Sequence, residues 1–222
     1  TSGTILRKIV ALEQQGVHEI FGERSFEIED LFEKVDGRGV ISILNVSDIQ
    51  SQPSIFSTFM LALLAELYQN LPEAGDLDKP KLIFFLDEAH LLFKDAPKAF
   101  MDQIEQVIRL IRSKGVGIFF FFLLTQDVPP TVLSQLGNRV HHVIRAFTPN
   151  DVKALKETIK TFPKSEFYDM EQQFTQLGTG QAFITVLNEK GIPTETVVTH
   201  LAPPLSVMGP LSPEEYGAHL KN

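Results

Sequence analysis

The chain has 222 residues, of which 43% are hydrophobic and 22% charged, an ordinary composition for a globular protein with one substantial core. The absence of cysteine excludes a disulfide framework, a thiolate metal site and a cysteine nucleophile. The net charge of −8 argues against a basic groove spread over the chain, and the longest apolar run is too short to cross a bilayer. A cytoplasmic protein without a membrane segment is therefore the simplest interpretation.

The first 70 residues predict an amphipathic helix and a packed helix, separated by a strand. Ile5 to Gln15 places its apolar residues on one helical face. Phe26 to Phe32 suits either a strand or a helix. After a turn at Asp36 to Gly39, the β-branched run Val40 to Val46 predicts a strand, and Ser54 to Tyr68 predicts a packed helix.

Five apolar residues follow Lys81 and stop abruptly on two adjacent carboxylates, Asp87 and Glu88. The run predicts a strand buried on both faces, as in a parallel sheet. Ligands collect at the carboxyl ends of such strands, so these acids would stand at the mouth of a site. An Asp there can hold Mg²⁺, usually through water, and an adjacent Glu can polarise an attacking water. The pattern is that of a Walker B element, although the same acids could instead cap the next helix.

The remaining pattern continues the alternation of helices and strands. A helix is predicted from Ala96 to Ser113, then a strand from Ile118 to Leu124 that ends at Thr125-Gln126, then a short helix from Thr131 to Leu136. A strand from Val140 to Ala146 and a helix that begins at Thr148-Pro149 follow. The last predicted element is a hairpin of Gln181 to Leu187 with Glu195 to Leu201. Adjacent His141 and His142 should point to opposite faces of their strand, which excludes a metal site shared by the two.

These elements predict an α/β fold with a RecA-like, mostly parallel sheet covered by helices on both faces, followed by a C-terminal β-hairpin and a proline-rich tail. We expect residues 1–201 to form the C-terminal part of an ATPase domain, and residues 202–222 to form the tail. A nucleotide hydrolase of this P-loop type needs the loop G-x-x-x-x-G-K-[S/T] to cradle the phosphates, and the 222 residues contain none. Either the loop lies in another part of a longer ATPase, or the interpretation of Asp87 and Glu88 is wrong.

The chain resembles the C-terminal ATPase part of the HerA/FtsK superfamily, specifically the bacterial HerA-like group often labelled YjgR-like. The similarity runs in order across the whole sequence. The stretches that carry it are Gly75 to Leu82, Asp87 to Phe93, Ile108 to Gly117, Gln135 to Val140, Arg145 to Pro149 and Gly209 to Leu211. One departure is that Asp127-Val128-Pro129 follows Gln126 directly, where relatives have several residues between. In that family the phosphate loop lies upstream.

The resemblance implies an ATP-driven homo-hexameric motor that moves DNA through a central pore, with ATP and Mg²⁺ as cofactors. It implies that Asp87 is the acid linked to Mg²⁺ and that Glu88 is the base acting on water. Gln126 would match the family's γ-phosphate sensor. Arg139 and Arg145 would be candidates for the arginine that neutralises transition-state charge, a role worth roughly 10³- to 10⁵-fold in rate where it has been measured.

Two other interpretations compete with the motor. The letters Asp87-Glu88-Ala89-His90 suggest a DEAH-box helicase, but the Ser-Ala-Thr element and the second motor domain of such helicases are not visible. The other is a non-enzymatic oligomerisation or interaction module with a degenerate ATPase fold. A phosphate loop upstream of Thr1 would favour the motor, and its absence would favour the module.

Overall fold

The computed structural model of the protein describes residue 10 and residues 26–50, 52–75, 77–94, 96, 98–143 and 148–219. The chain divides into two compact units, Thr1–Leu136 and Gly137–Asn222. Apart from residue 10, the helix predicted at Ile5 to Gln15 lies outside the described residues. The domain boundaries predicted from sequence, 1–201 and 202–222, stay a prediction.

The first unit is built on a parallel pair of strands with helices packed against one of its faces. Its elements are β1 (Lys34–Val35), β2 (Arg38–Gly39), α1 (Ser47–Gln50), α2 (Pro53–Asn70), β3 (Leu82–Leu86), α3 (Lys98–Leu110), β4 (Val116–Phe120) and α4 (Pro130–Leu133), with short 3-10 helices at Ile28–Phe32, Ala89–Leu92, Ile111–Lys114 and Thr125–Asp127. The ambiguous run from Phe26 to Phe32 is thus resolved as a single helical turn.

Strands β3 and β4 pair in parallel, in register from Leu82 opposite Val116 to Leu86 opposite Phe120. One face of the pair is packed, because α2 and α3 contribute fully buried side chains such as Leu64 and Ile104 to the same core cluster. The other face is exposed, with Phe85 65% and Phe119 53% accessible, so the prediction that these strands are buried on both faces and covered by helices on both sides is wrong for the part of the chain that the structure describes. The predicted parallel arrangement is therefore confirmed in these two strands only, and within the described residues the other two sheets are antiparallel.

The strand predicted at Val40 to Val46 is wrong, since this segment has no regular secondary structure and Ile41 and Ile43 are each 89% exposed. A β-branched sequence favours an extended backbone, but a strand also needs a neighbour to pair its N–H and C=O groups. The turn before it is confirmed: Asp36 and Gly37 both have positive φ, 52° and 75°, and connect the two-residue strands β1 and β2.

Both long helices of the first unit follow their sequence signals. Pro53 occupies the first turn of α2, where a missing N–H costs nothing. Helix α3 passes into the 3-10 turn Ile111–Lys114 and ends at Gly115, whose φ of 79° gives it the left-handed conformation of a helix stop. A methyl group on Gly115 would lie 3.0 Å from the Leu77 side chain, so both the backbone and the space favour glycine.

The second unit packs two helices on an antiparallel sheet in the order β5-β6-β7. Its elements are β5 (Arg139–His142), α5 (Pro149–Ile159), α6 (Met170–Gln176), β6 (Gln181–Thr185), β7 (Val197–His200) and the tail helix α7 (Pro213–His219). The predicted hairpin is confirmed by the pairing of β6 with β7. So is the predicted helix start, because Thr148 and Asp151 form a reciprocal capping box at α5.

The core of the second unit is aromatic. The rings of Phe174 and Phe183 stack at 4.1 Å between centroids, and both residues are fully buried. Tyr168 links the helical side to β7 through its hydroxyl, which donates to the carbonyl of Thr196 at 2.7 Å and accepts the N–H of Val198 at 2.8 Å. These contacts anchor β7 to the segment that leads into α6.

Candidate functional site

The two acids lie where the sequence predicts, immediately after β3 at the carboxyl end of the parallel pair. The main chain is fixed there on both sides of Asp87 and Glu88. Phe121 donates its N–H to the carbonyl of Leu86 at 2.9 Å, and its own carbonyl accepts the N–H of Ala89 at 2.8 Å. The ladder between β3 and β4 thus continues around the acidic pair and holds it at the rim of the sheet.

Asp87 projects from this rim with an exposed side chain. Its Oδ1 accepts the N–H of Glu88 at 3.0 Å, which orients the carboxylate. Glu88 itself has φ 49° and ψ 41°, the left-handed region that residues with a Cβ rarely adopt. Such backbone strain is concentrated at functional sites, where the surrounding structure holds it in place.

The Glu88 side chain is 38% exposed and lies beside His90, which is 27% exposed. His90 Nδ1 is 3.2 Å from Glu88 Oε2, within ion-pair distance. The two atoms do not have the geometry of a hydrogen bond, and within the described chain Nδ1 has no hydrogen-bond partner. The Glu88 carboxylate therefore lies next to His90 while part of its surface stays open to solvent.

The acidic pair fits a magnesium–nucleotide complex better than a metal site made only of protein. Among the described residues no group of three or more His, Asp or Glu side chains could hold a metal ion. Magnesium, however, is usually bound by one or two carboxylates, with waters and substrate phosphates completing its shell. One exposed carboxylate at the rim, oriented by a backbone N–H, meets that requirement.

Gln126 lies in the 3-10 turn Thr125–Asp127 and is exposed. The predicted strand before it is shorter than expected, since β4 ends at Phe120 and four residues separate this end from the turn. β4 is short because β3 ends at Leu86. Beyond Phe121, the chain therefore has no residue of β3 beside it to form strand hydrogen bonds with. The structure places Gln126 beyond the carboxyl end of β4, and its role as a sensor stays a prediction.

Arg139 opens β5 in the second unit and is half-buried. Its Nη1 donates to the carbonyl of Thr161 at 2.9 Å, and its guanidinium lies 5.8 Å from the centre of the Phe162 ring. Burial lowers the pKa of Arg139 below its ordinary value. The side chain therefore has structural contacts of its own, while the predicted catalytic role is untested. Arg145 lies outside the described residues.

Two features escaped the sequence reasoning. The outward face of β3 and β4 carries exposed aromatic rings, a feature for which the Phe-rich run Phe119 to Phe122 was the available signal. The other is His141, which is packed against Phe162 and Phe174 and whose Nε2 has no hydrogen-bond partner within the described chain. Burial, assisted by the charge of His142, lowers the pKa of His141 to about 4. The prediction that the two histidines face opposite ways is confirmed, because His142 is exposed.

No helix within the described ranges combines the length and the apolar composition needed to cross a membrane. The sequence has no match among curated proteins. The family model "Helicase HerA-like C-terminal" matches residues 1–222.

The solved structures with low similarity to the chain include packaging ATPases of Sulfolobus turreted icosahedral viruses. The genome packaging NTPase B204 from Sulfolobus turreted icosahedral virus 2, solved with AMP, has 16% sequence identity and a TM-score of 0.47 over 84% of this chain and 76% of its own. The same protein solved with sulfate has 14% identity and a TM-score of 0.48 over the same shares. B204, the DNA-packaging ATPase from Sulfolobus turreted icosahedral virus, has 14% identity and a TM-score of 0.45, again over 84% and 76%. At TM-scores below 0.5, these similarities determine neither the fold nor the function of this chain.

Proposed function

The chain belongs to the helicase HerA-like C-terminal family, and on that premise we propose that it is part of an ATP-hydrolysing motor that translocates DNA, with Asp87 and Glu88 as its Walker B acids. The observation that carries the proposal is the position of this pair, at the carboxyl end of a parallel strand and fixed on both sides by hydrogen bonds to Phe121, the residue that follows β4. Open α/β sheets bind their ligands at that edge.

The chemistry assigned to the pair is the attack of water on the γ-phosphorus of ATP, which breaks the bond to the β-phosphate oxygen and releases ADP and phosphate. Glu88 orients the attacking water and accepts its proton. Asp87 would hold Mg²⁺ directly or through water, and the ion, when bound, neutralises charge on the β- and γ-phosphate oxygens. The carboxylate of Asp87, oriented by a backbone N–H, and the partly exposed carboxylate of Glu88 suit these two different tasks.

The finer assignments rest on the family resemblance. Gln126 would contact the γ-phosphate, and Arg139 or Arg145 would neutralise transition-state charge, in the same subunit or a neighbouring one. Six copies of the full-length protein would form a ring with DNA in the central pore. The phosphate loop would come from another part of the polypeptide, because the 222 residues do not contain one.

DNA-stimulated ATP hydrolysis by the full-length protein tests the proposal. We expect the wild-type protein to hydrolyse ATP, and the Asp87→Asn variant to need more Mg²⁺ and to turn over more slowly. The control is Glu189→Gln, which changes an exposed acid in the turn between β6 and β7 and should leave the rate unchanged. Absence of hydrolysis in the wild type, with no particle of ring symmetry by electron microscopy, would instead support a non-enzymatic interaction module.

A further inference from the structure

His90 reaches back toward Glu88 from the 3-10 turn that follows the acidic pair. Its Nδ1 lies 3.2 Å from Oε2 of Glu88, and this ring nitrogen is buried without a hydrogen-bond partner in the described part of the chain. Residues two apart on a regular helix do not face each other. Here Glu88 precedes the turn with a left-handed backbone, and the two side chains meet. The contact therefore accompanies the strained backbone of the proposed base.

The turn holds the backbones of the two residues in place. Ala89 and Leu92, on either side of His90, are fully buried in the core of the first unit. The carbonyl of Glu88 accepts the N–H of Leu91 at 2.9 Å, which closes the turn around His90. The backbone of His90 is therefore fixed relative to that of Glu88, and only rotations of the two side chains change the contact between them.

The buried Nδ1 of His90 needs a hydrogen-bond partner, and Glu88 offers an acceptor. Nearly all buried polar atoms of folded proteins are hydrogen-bonded. The separation of 3.2 Å suits an N–H···O bond, although the direction of the ring N–H does not. Catalytic hydrogen bonds are often poorly aligned in the absence of substrate and tighten in the reacting complex. The contact between His90 and Glu88 has the features of such a bond.

A carboxylate that acts as a base has to be held in place. Glutamate is a flexible side chain, and misplacement of a reacting group by about 1 Å can cost about 100-fold in rate. In enzymes that use a base, the base is often itself oriented by a third group. A neutral imidazole suits this task, because its N–H occupies one carboxylate oxygen and leaves the other for the attacking water.

We propose that His90 is a positioning residue for ATP hydrolysis: its Nδ1–H donates to Oε2 of Glu88, and the other oxygen of Glu88 accepts the proton of the attacking water. The proposal rests on the proposed function, because Glu88 is a base only if the protein hydrolyses ATP. It also fixes the tautomer of His90, since only a protonated nitrogen can donate. The carboxylate 3.2 Å away favours a proton on Nδ1 rather than on Nε2 before any substrate binds.

Single-turnover ATP hydrolysis by the full-length protein tests the role of the Nδ1–H. Asparagine places an amide N–H near the position of Nδ1, whereas leucine fills similar space without a donor. We expect His90→Leu to lose about 10- to 100-fold in rate with unchanged ATP affinity, and His90→Asn to recover most of that loss. His90→Gln, whose amide lies near the position of Nε2, should be as slow as His90→Leu and replaces it if that variant does not fold. The control His142→Leu changes an exposed histidine of β5 and should keep the wild-type rate.

A double substitution shows whether His90 acts through Glu88. In the Glu88→Gln background, His90→Leu should cause no further loss of rate, because the base is already absent. An equal loss in both backgrounds, or no recovery with asparagine, would mean that His90 only supports the local structure and would overturn the proposal. A wild-type rate in His90→Leu would overturn it as well.

Nitrogen NMR of the histidine rings separates the positioning role from the proposed function. The sample is the 222-residue chain, in which each unit has its own core, at about pH 8, where a free histidine ring is neutral. We expect the proton of His90 on Nδ1 in the wild type and on Nε2, as in free histidine, in Glu88→Ala. A proton on Nδ1, with no ATP hydrolysis by the full-length protein, would refute the proposed function alone. ATP hydrolysis with the proton on Nε2 in the wild type would refute the positioning role alone.

Discussion

The left-handed backbone of Glu88 predicts that glycine is more stable than alanine at this position. At φ 49° and ψ 41°, any residue with a Cβ is strained by about 1–2 kcal/mol, whereas glycine is not. Replacement by glycine or by alanine removes the same carboxylate and the same contact with His90, so the two variants differ only in the backbone. We predict that Glu88→Gly is more stable than Glu88→Ala, although glycine adds about 0.4–1 kcal/mol of entropy to the unfolded chain.

The net difference should be about 1 kcal/mol in favour of glycine, or roughly 2–4 °C in the unfolding temperature of a domain of this size. The assay is thermal unfolding of the 222-residue chain, followed by circular dichroism, with both variants under identical conditions. The same pair of substitutions at Lys153, on the exposed side of α5, provides the control, because there glycine should be the less stable by about 1 kcal/mol. If alanine is the more stable residue at position 88 as well, the strain argument is refuted.

Three further predictions concern packing and pH. The pKa of His141 is about 4 in the folded chain against 6.5 ordinarily, so the unfolded chain binds the proton first. The free energy of unfolding should therefore be highest above pH 6.5 and fall by about 3 kcal/mol as the pH is lowered to 4, which urea unfolding at several pH values would measure. A His141→Leu variant whose free energy of unfolding falls as steeply with pH would contradict this. Gly115→Ala should cost about 1–2 kcal/mol from its left-handed backbone and the nearby Leu77 side chain, and an unchanged midpoint of denaturation would contradict it. Phe174→Ala should lower the free energy of unfolding by about 3–5 kcal/mol, whereas Phe167→Ala, at an exposed position, should lower it by less than about 0.5 kcal/mol. Equal losses in the two variants would refute the assignment of Phe174 to the core of the second unit.

Local signals in the sequence predicted the elements that depend on local chemistry. The apolar periodicity of α2 and the capping residues of α5 each specify a helical backbone that residues nearby in the sequence stabilise, and the apolar run of β3 specifies a strand that β4 pairs with. The position of Asp87 followed from the predicted strand, because an acid directly after a strand lies at its carboxyl end. These predictions are confirmed by the structure.

Features that depend on distant partners could not be predicted in this way. The run from Val40 to Val46 has strand propensity, but its state is decided by whether another strand lies beside it. The length of β4 depends on where β3 stops, and the exposure of Phe85 and Phe119 depends on what covers the sheet. The left-handed backbone at Glu88 has no signature in residue type, since glycine would be the expected choice there.

The most direct test of the central claim separates nucleotide binding from turnover in the full-length protein carrying Glu88→Gln. If Glu88 is the base that acts on water, the variant should bind Mg²⁺-ATP as tightly as the wild type and lose about 10²- to 10⁴-fold in single-turnover hydrolysis. Glu189→Gln should match the wild type in both measurements. Hydrolysis by Glu88→Gln at the wild-type rate would contradict the assignment of the acidic pair to ATP hydrolysis.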